Sequence, residues 1–332
     1  LKIAVVILNW NGEKLLQQFL PDVIRYSPTA YSDIYVADNA STDGSIQLIQ
    51  EHFTTVKIIR NEVNGGYAKG YNDALKKIDA DVFCLLNSDI EVTQNWLEPI
   101  YQHFIENPKI AIIQPKILDF KKKTHFEYAG AAGGFIDQMG YPYCRGRIFD
   151  SIESDAGQYN DEREIFWASG ACLFIRNEVF NLLGGMDEDY FAHQEEIDLC
   201  WRAYNKGYKT MYVGTSTVYH VGGSTLSHSH WKKTYLNFRN SLYNIVKNVP
   251  NGYKTLILKR LVLDGIAGFM FLTEGKFIYF WAIIKAHFSF YMHIPVLLKK
   301  RKEIHPLRKD YFKVRSIVWQ HFFKKKNSFS EL

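Results

Sequence analysis

Runs of uninterrupted apolar residues at 3–8, 34–37, 56–59, 82–86 and 110–113 constrain this chain more than any other feature. Each has strand length and is continuous rather than alternating, as expected of strands buried on both faces of a sheet. Residues 14–26, 45–52, 67–77 and 96–106 carry helical patterns between them. Strand and helix alternating in this way predict an α/β fold, a mostly parallel sheet flanked by helices, with right-handed crossovers. Ligands of such sheets bind beyond the carboxyl ends of the strands. The informative residues are therefore Asn9, Asp38, Asn64 and Asn87-Ser88-Asp89.

With 332 residues, 47% hydrophobic and 23% charged, the chain can bury a sizeable core, and disorder is excluded. Residues 119–161 dissolve into Gly, Tyr, Lys and Asp, which reads as a long loop shaping a pocket. Order returns at 165–176 and 177–183, then in a Gly184-Gly185 turn, a helix over 194–206 and a strand at 210–213. Cys84, Cys144, Cys172 and Cys200 are too far apart for a disulfide scaffold or a C-x-x-C site, so a reducing compartment is expected. The first apolar run is short and leads into Asn9-Trp10-Asn11-Gly12, which makes it a buried strand rather than a signal-peptide core. The chain opens without Met, and a few residues are expected to precede Leu1.

The net charge of +5 conceals a segregation about Trp231. Residues 1–231 carry 20 basic and 30 acidic side chains, giving −10; residues 232–332 carry 20 basic and 5 acidic, giving +15. We therefore divide the chain into a catalytic part, 1–231, and a basic, aromatic helical part, 232–332, with an anionic partner. Pro250 ends a first helix there, and apolar stretches at 256–273 and 277–298 follow, interrupted by Lys259, Arg260, Asp264, Lys285 and His287. Neither is a clean span, so crossing a bilayer is disfavoured. Basic clusters at 299–302 and 324–326 beside aromatic residues suit helices lying in a membrane interface. The blander reading is a helical subdomain packed on the first part with a solvated basic face.

Several residue groups carry chemistry, each beside a plainer reading. Asp38 can accept a hydrogen bond from a nucleobase ring N–H, or simply cap the next helix. Asn64-Gly65-Gly66 allows a ligand close to the backbone, or is only a turn. Asn87 and Asp89 can face one hard cation that bridges a diphosphate, or close an Asx-turn. Glu195, Glu196 and Asp198 supply a general base, or an acidic first turn that favours the helix dipole. His220 is a metal ligand or a satisfied core histidine. Trp167 stacks on a sugar face or fills the core. Asp187 touches an acceptor hydroxyl or caps a segment. His228 and His230 read as a metal tract or, more simply, a polar linker.

In order, Asn9-Trp10-Asn11-Gly12, Asp38-Asn39-Ala40-Ser41, Asn64-Gly65-Gly66, Leu86-Asn87-Ser88-Asp89, Ser169-Gly170-Ala171, Gly184-Gly185-Met186-Asp187-Glu188, Glu195-Glu196 and Tyr219-His220 resemble the family 2 glycosyltransferases, in particular their rhamnosyltransferase-like branch, over about residues 3–225. The resemblance implies a GT-A fold, Rossmann-like, with the helical region appended and membrane-associating. It implies an inverting, metal-dependent transfer from a dTDP- or UDP-sugar to a lipid-linked or surface-glycan acceptor, peripheral on the cytoplasmic face of the membrane. Mn²⁺ or Mg²⁺ is the implied cofactor, with Asp89 and His220 as ligands. Asn87 stands where the family has its first Asp and lacks the charge. Glu196, with Glu195 beside it, is the implied base, in a position the family usually fills with Asp. Donor-binding residues are Asn9, Asp38, Asn64, Gly66, Asn87 and Ser88; Trp167 and Asp187 are expected at the acceptor. A dehydrogenase fails for want of G-x-G-x-x-G after the first strand. A processive synthase fails for want of spans and a Gln-x-x-Arg-Trp motif, and the apolar tail argues against nucleic acid. The competing class is a catalytically inert sugar-nucleotide-binding scaffold, prompted by Asn87.

Overall fold

The computed structural model describes residues 1–222, 231–306 and 308–332, so His228 and His230 lie outside the described residues. The first half follows the predicted alternation: β1 (Ile3–Asn9), α1 (Glu13–Tyr26), β2 (Ser32–Asp38), α2 (Ser45–His52), β3 (Lys57–Arg60), α3 (Gly66–Leu75), β4 (Val82–Asn87), β5 (Ile90–Val92), α4 (Glu98–Glu106) and β6 (Ile110–Asp119). β7 (Gly134–Ile136), β8 (Pro142–Cys144), β9 (Arg147–Ile148) and β10 (Ser151–Ile152) follow, then β11 (Glu162–Ile165), β12 (Cys172–Arg176), α5 (Asn177–Leu182), α6 (Glu195–Asn205) and β13 (Lys209–His220). Three long helices complete the order: α7 (Trp231–Asn248), α8 (Tyr253–Thr273) and α9 (Phe277–Ile304).

The main sheet runs β11-β13-β6-β12-β4-β1-β2-β3, with β5 also paired to β13. β3, β2, β1 and β4 are parallel, the half that the apolar runs predict, and β12 enters antiparallel between β4 and β6. Residues on β1, such as Val5 and Val6, are fully buried because helices cover both faces of the sheet. The pairing register brings Asn9 beside Asp38, and Leu8 beside Asn87, at one edge.

Residues 119–161 are not a loop. They build the four-stranded sheet β10-β9-β8-β7, whose Phe126, Phe135, Ile136, Tyr143 and Ile148 join the main core. Strands of two or three residues are too short to display a period, which hid them in the sequence. The four cysteines are buried and free.

The change of composition at Trp231 coincides with the start of α7, but α7 is no appendage. Its Asn240, Ser241, Asn244, Lys247 and Asn248 are buried. Farther on, Val314 and Ile317 pack in the main core, and Asp137 accepts a hydrogen bond from the Ile317 amide at 2.8 Å. α8 and α9 then pack with some of their charges inward. Asp264 is fully buried, 3.6 Å from Arg260 and 3.2 Å from His287, and the Arg260 guanidinium lies over the Tyr141 ring. Lys285 sits over the rings of Trp231 and Tyr235. Arg260, Asp264 and His287, among the residues that broke the apolar runs, thus turn toward the protein, whereas Lys259 and Lys285 are exposed. Among the described residues, sixteen of the 23 exposed large apolar side chains lie between Leu258 and Phe323, which makes this end unlike the rest of the described surface. No helix among the described residues is long and apolar enough to cross a membrane.

Candidate active site

At the carboxyl edge of β1 and β2, Asn9 donates from Nδ2 to Asp38 Oδ1 (3.3 Å) and to Ser41 Oγ (3.2 Å), and Asp38 Oδ2 accepts from the Ser41 amide (3.1 Å). Asn9 Oδ1 is buried without a partner. A Cβ on Gly12 would lie 2.3 Å from that oxygen and 3.6 Å from Ser88 Oγ, so only glycine lets the loop close over both. Asn64 Oδ1 accepts from Asn39 Nδ2 (2.9 Å) and from the Gly66 amide (3.0 Å), which orders the turn into α3. Gly66 has φ +81°, and a Cβ there would meet the Phe191 carbonyl at 2.7 Å. The donor-side residues Asn9, Asp38, Asn64, Gly66 and Ser88 thus surround one rim of the sheet.

Beyond β4, the antiparallel pairing of β5 with β13 puts His220 opposite Ile90, and the Val221 amide donates to the Asp89 carbonyl. The side chains follow: His220 Nε2 is 3.2 Å from Asp89 Oδ1, and His220 Nδ1 is 3.3 Å from Glu127 Oε1. All three are buried. Burial opposes charge on the imidazole, but hydrogen bonding and charge from Asp89 and Glu127 override it and raise its pKa to about 10. Two expected metal ligands therefore meet. Their 3.2 Å separation is close to that of adjacent ligands on a cation bound at about 2.1 Å, and the oxygen and imidazole donors suit Mn²⁺ or Mg²⁺. Among the described residues no three His, Cys, Asp or Glu side chains are arranged to hold a cation. Asn87 is half-buried, and its amide donates to the Ala171 carbonyl.

Glu195 and Glu196 open α6. Glu195 is buried and Glu196 half-buried, and each has an Oε2 atom shielded from water without a hydrogen-bond partner. Burial raises the Glu196 carboxyl to about 7. Burial, then the Glu196 charge, raises Glu195 farther. The two carboxyls titrate as a pair, in which burial opposes charge on both and the charge of one opposes that of the other.

The approach to Glu195 is strained. Phe191, His193 and Gln194 all have positive φ, 63°, 68° and 70°. Asn240 of α7 holds this turn by donating to the carbonyls of Tyr190 (3.2 Å), Ala192 (3.0 Å) and His193 (2.7 Å), while Tyr67 donates its amide to Phe191 O. Burial, then Lys233, lowers the His193 pKa to about 4, so this ring is neutral. Neither Asn240 nor Glu127 carries a signal in spacing or composition.

Two expected acceptor residues are used otherwise. Trp167 is buried, its Nε1 donates to the Phe135 carbonyl (2.8 Å), and its ring packs on Gly134; it fills the core. Asp187 pairs with Lys247 (2.5 Å) and Lys300 (2.5 Å), so it faces α7 and α9 rather than an open cleft.

Comparisons with known proteins establish the family and the fold. The Glycosyl transferase family 2 model matches residues 4–184, and the chain belongs to that family. It is a glycosyltransferase with a GT-A-type fold. Over 259 residues, 70% of this chain and 83% of the other, it is 25% identical to the N-acetylglucosaminyl-diphospho-decaprenol L-rhamnosyltransferase of Mycobacterium tuberculosis, which supports the rhamnosyltransferase-like branch. It is 22% identical over 208 residues to a low-salt glycan biosynthesis hexosyltransferase, Agl10, of Haloferax volcanii, covering 60% of this chain and 61% of that one. Among solved structures, GalNAc-T7 with UDP, GalNAc and Mn²⁺ superposes with a TM-score of 0.63 at 17% identity, over 98% of this chain and 57% of that chain. The mannosyltransferase PcManGT of Pyrobaculum calidifontis, with GDP-Man and Mn²⁺, gives 0.54 at 11% identity over 98% and 88%.

Proposed function

We propose that this glycosyltransferase moves a sugar, with inversion, from a dTDP- or UDP-sugar to a hydroxyl of a lipid-linked or surface-glycan saccharide, and that the sugar is rhamnose. The carrying observation is the pair of carboxylates Glu195 and Glu196, each with an oxygen shielded from water and unpartnered, on a helix whose preceding turn is tied through Phe191 to Gly66 and Tyr67. Glu196, ionised, takes the proton of the acceptor hydroxyl as that oxygen attacks the anomeric carbon. Glu195, protonated, can donate a hydrogen bond beside it. One base and one direct displacement invert the configuration. Asp89 and His220 would hold Mn²⁺ or Mg²⁺, which when bound neutralises charge on the departing diphosphate. Mn²⁺ accompanies the nucleotide or nucleotide sugar in two of the similar structures. Asn9, Asp38, Asn64, Gly66, Asn87 and Ser88 form the donor side, and Asn87 serves through its neutral amide.

The reaction is assigned to the cytoplasmic membrane surface. The support is the α8–α9 hairpin, with Leu258, Val262, Ile266 and Phe269 on one helix and Phe277, Trp281, Ile284 and Phe288 on the next exposed at helical spacing, flanked by lysines. The rhamnosyltransferase relative's name specifies a diphospho-decaprenol acceptor, a substrate of the kind such a surface would present.

The decisive experiment is nucleotide release from a panel of UDP-, dTDP- and GDP-sugars, with Mn²⁺, with Mg²⁺ and with chelator. One donor should be turned over in a metal-dependent way, and Glu196→Gln should lower the rate by about 10²–10⁴ with folding intact. Nucleotide-sugar binding without turnover by any donor would favour the inert scaffold instead.

A further inference from the structure

The geometry points to Glu127 as the positioning residue that fixes His220 for cation binding. This rests on the metal-assisted reading above and assigns a role to a side chain outside the expected ligand set. An imidazole presents its two nitrogens to different sides of the ring. Here Nε2 faces Asp89 at 3.2 Å and Nδ1 faces Glu127 at 3.3 Å, so Asp89 and Glu127 do not share one cation through His220. Nδ1 is buried and makes no aligned hydrogen bond; Glu127 Oε1, 3.3 Å away, is the carboxylate oxygen that a small turn of the ring brings into line as acceptor for its N–H. A cation entering on the Asp89 side would displace the Nε2 proton that faces Asp89 Oδ1 and take the lone pair so freed. Histidine ligands are commonly oriented in this way by a carboxylate on the far nitrogen.

Glu127 is itself held. Its Oε2 accepts from the Ala129 amide at 2.5 Å, and its own amide donates to the Ile117 carbonyl on β6, the strand that pairs with β13 beside His220. Ser169 Oγ donates to the Ala129 carbonyl and closes the turn. The carboxylate is thus tied to the strand pair that carries the histidine. Removing it frees the ring to flip or to change tautomer without removing either ligand.

The test is Mn²⁺ titration into the full chain, followed by electron paramagnetic resonance, in the presence of dTDP and, separately, of UDP. Glu127→Ala should weaken Mn²⁺ binding by about 10–100-fold. Glu127→Gln has one oxygen for the two donors that face Glu127, Nδ1–H and the Ala129 amide, so it should recover part of that loss. The nitrogen coupling of bound Mn²⁺ to imidazole should be present in the unaltered chain and in Glu127→Gln, and lost in His220→Ala. Equal Mn²⁺ affinity in the unaltered chain and Glu127→Ala, with thermal unfolding unchanged, overturns the positioning role. Equal weakening in Glu127→Ala and Glu127→Gln overturns it too, since charge rather than orientation would then matter. Undiminished Mn²⁺ binding in Asp89→Ala would instead remove the metal-site reading on which the proposal stands.

Discussion

Two adjacent glutamates in a desolvated pocket cannot both carry charge cheaply, and the reaction needs one of them to do so. A carboxyl raised by burial to about 7 is protonated below that pH and cannot accept the acceptor's proton. The expected outcome is a kcat/KM profile that falls about tenfold per pH unit on the acid side, with its midpoint near 7 rather than near 4.5. The profile should be measured at saturating Mn²⁺, since proton competition at the metal site would otherwise add its own slope. Asp187 shows the opposite sign. Burial disfavours its charge, but Lys247 and Lys300 outweigh burial and lower it from 3.8 to about 2. A depressed folded-state pKa stabilises the fold at pH above 3.8, and that contribution, about 2 kcal/mol, is lost as pH falls through 2. Urea unfolding followed from pH 5 to pH 2 should show the step. Asp187→Asn should lack it and, with Lys247 left buried beside a neutral side chain, should be less stable throughout. The sequence marked Asp89, Glu196 and Asp187 alike, as acids at or next to the ends of regular elements. What it could not supply was the direction each side chain takes, which here depends on lysines 60 and 113 residues away.

At the scale of elements, the turn over 191–194 is the feature most dependent on its neighbours. Three non-glycine residues with positive φ persist only where the surroundings over-determine them. α7 and the start of α3 do so. Asn240→Ala would leave the carbonyls of Tyr190, Ala192 and His193 short of a donor, at a cost of about 2–4 kcal/mol. Its kcat should fall more than its stability at assay temperature explains, because Glu195 and Glu196 follow directly. Denaturant melts and steady-state kinetics on the same preparation check both. Gly66→Ala attacks the turn from the other side: a Cβ at φ +81° meets the Phe191 carbonyl, so it should raise the donor KM and lower kcat together. Strands β1 to β4 and their crossovers were readable because double burial imposes long apolar runs. The β7–β10 sheet was not, because its strands are too short for a pattern and their partners are adjacent turns rather than a repeated motif.

For the molecule as a whole, the charge split of −10 and +15 named two regions, but the folded chain spends part of that positive charge internally. Lys247 and Lys300 bind Asp187, Arg260 binds Asp264, and Arg301 donates to the carbonyls of Val246, Val249 and Pro250. α9 therefore does two things at once: its inner face, through Lys300 and His293, holds Asp187 and Asp189 in the segment that leads to Glu195 and Glu196, and its outer face is apolar. A chain with this arrangement should bind lipid through the hairpin without depending on a strong basic patch. Vesicles of neutral lipid should retain the protein measurably, and anionic lipid should add about 1 kcal/mol for each lysine that reaches the surface, an increment lost at high salt. Changing Phe269, Trp281 and Phe288, each about two-thirds exposed, to serine removes roughly 1–2 kcal/mol of burial apiece. Cosedimentation of the triple variant should fall by at least about 100-fold on both kinds of vesicle. Because these side chains are exposed and take no part in the ion pairs of Asp264 and His293, nucleotide release with a water-soluble acceptor should be unchanged in the same variant. Transfer to an acceptor embedded in vesicles should drop with binding. Undiminished cosedimentation of the triple variant would assign lipid contact to another surface, and lost activity on the soluble acceptor would mean that the outer face of α9 supports the catalytic segment itself.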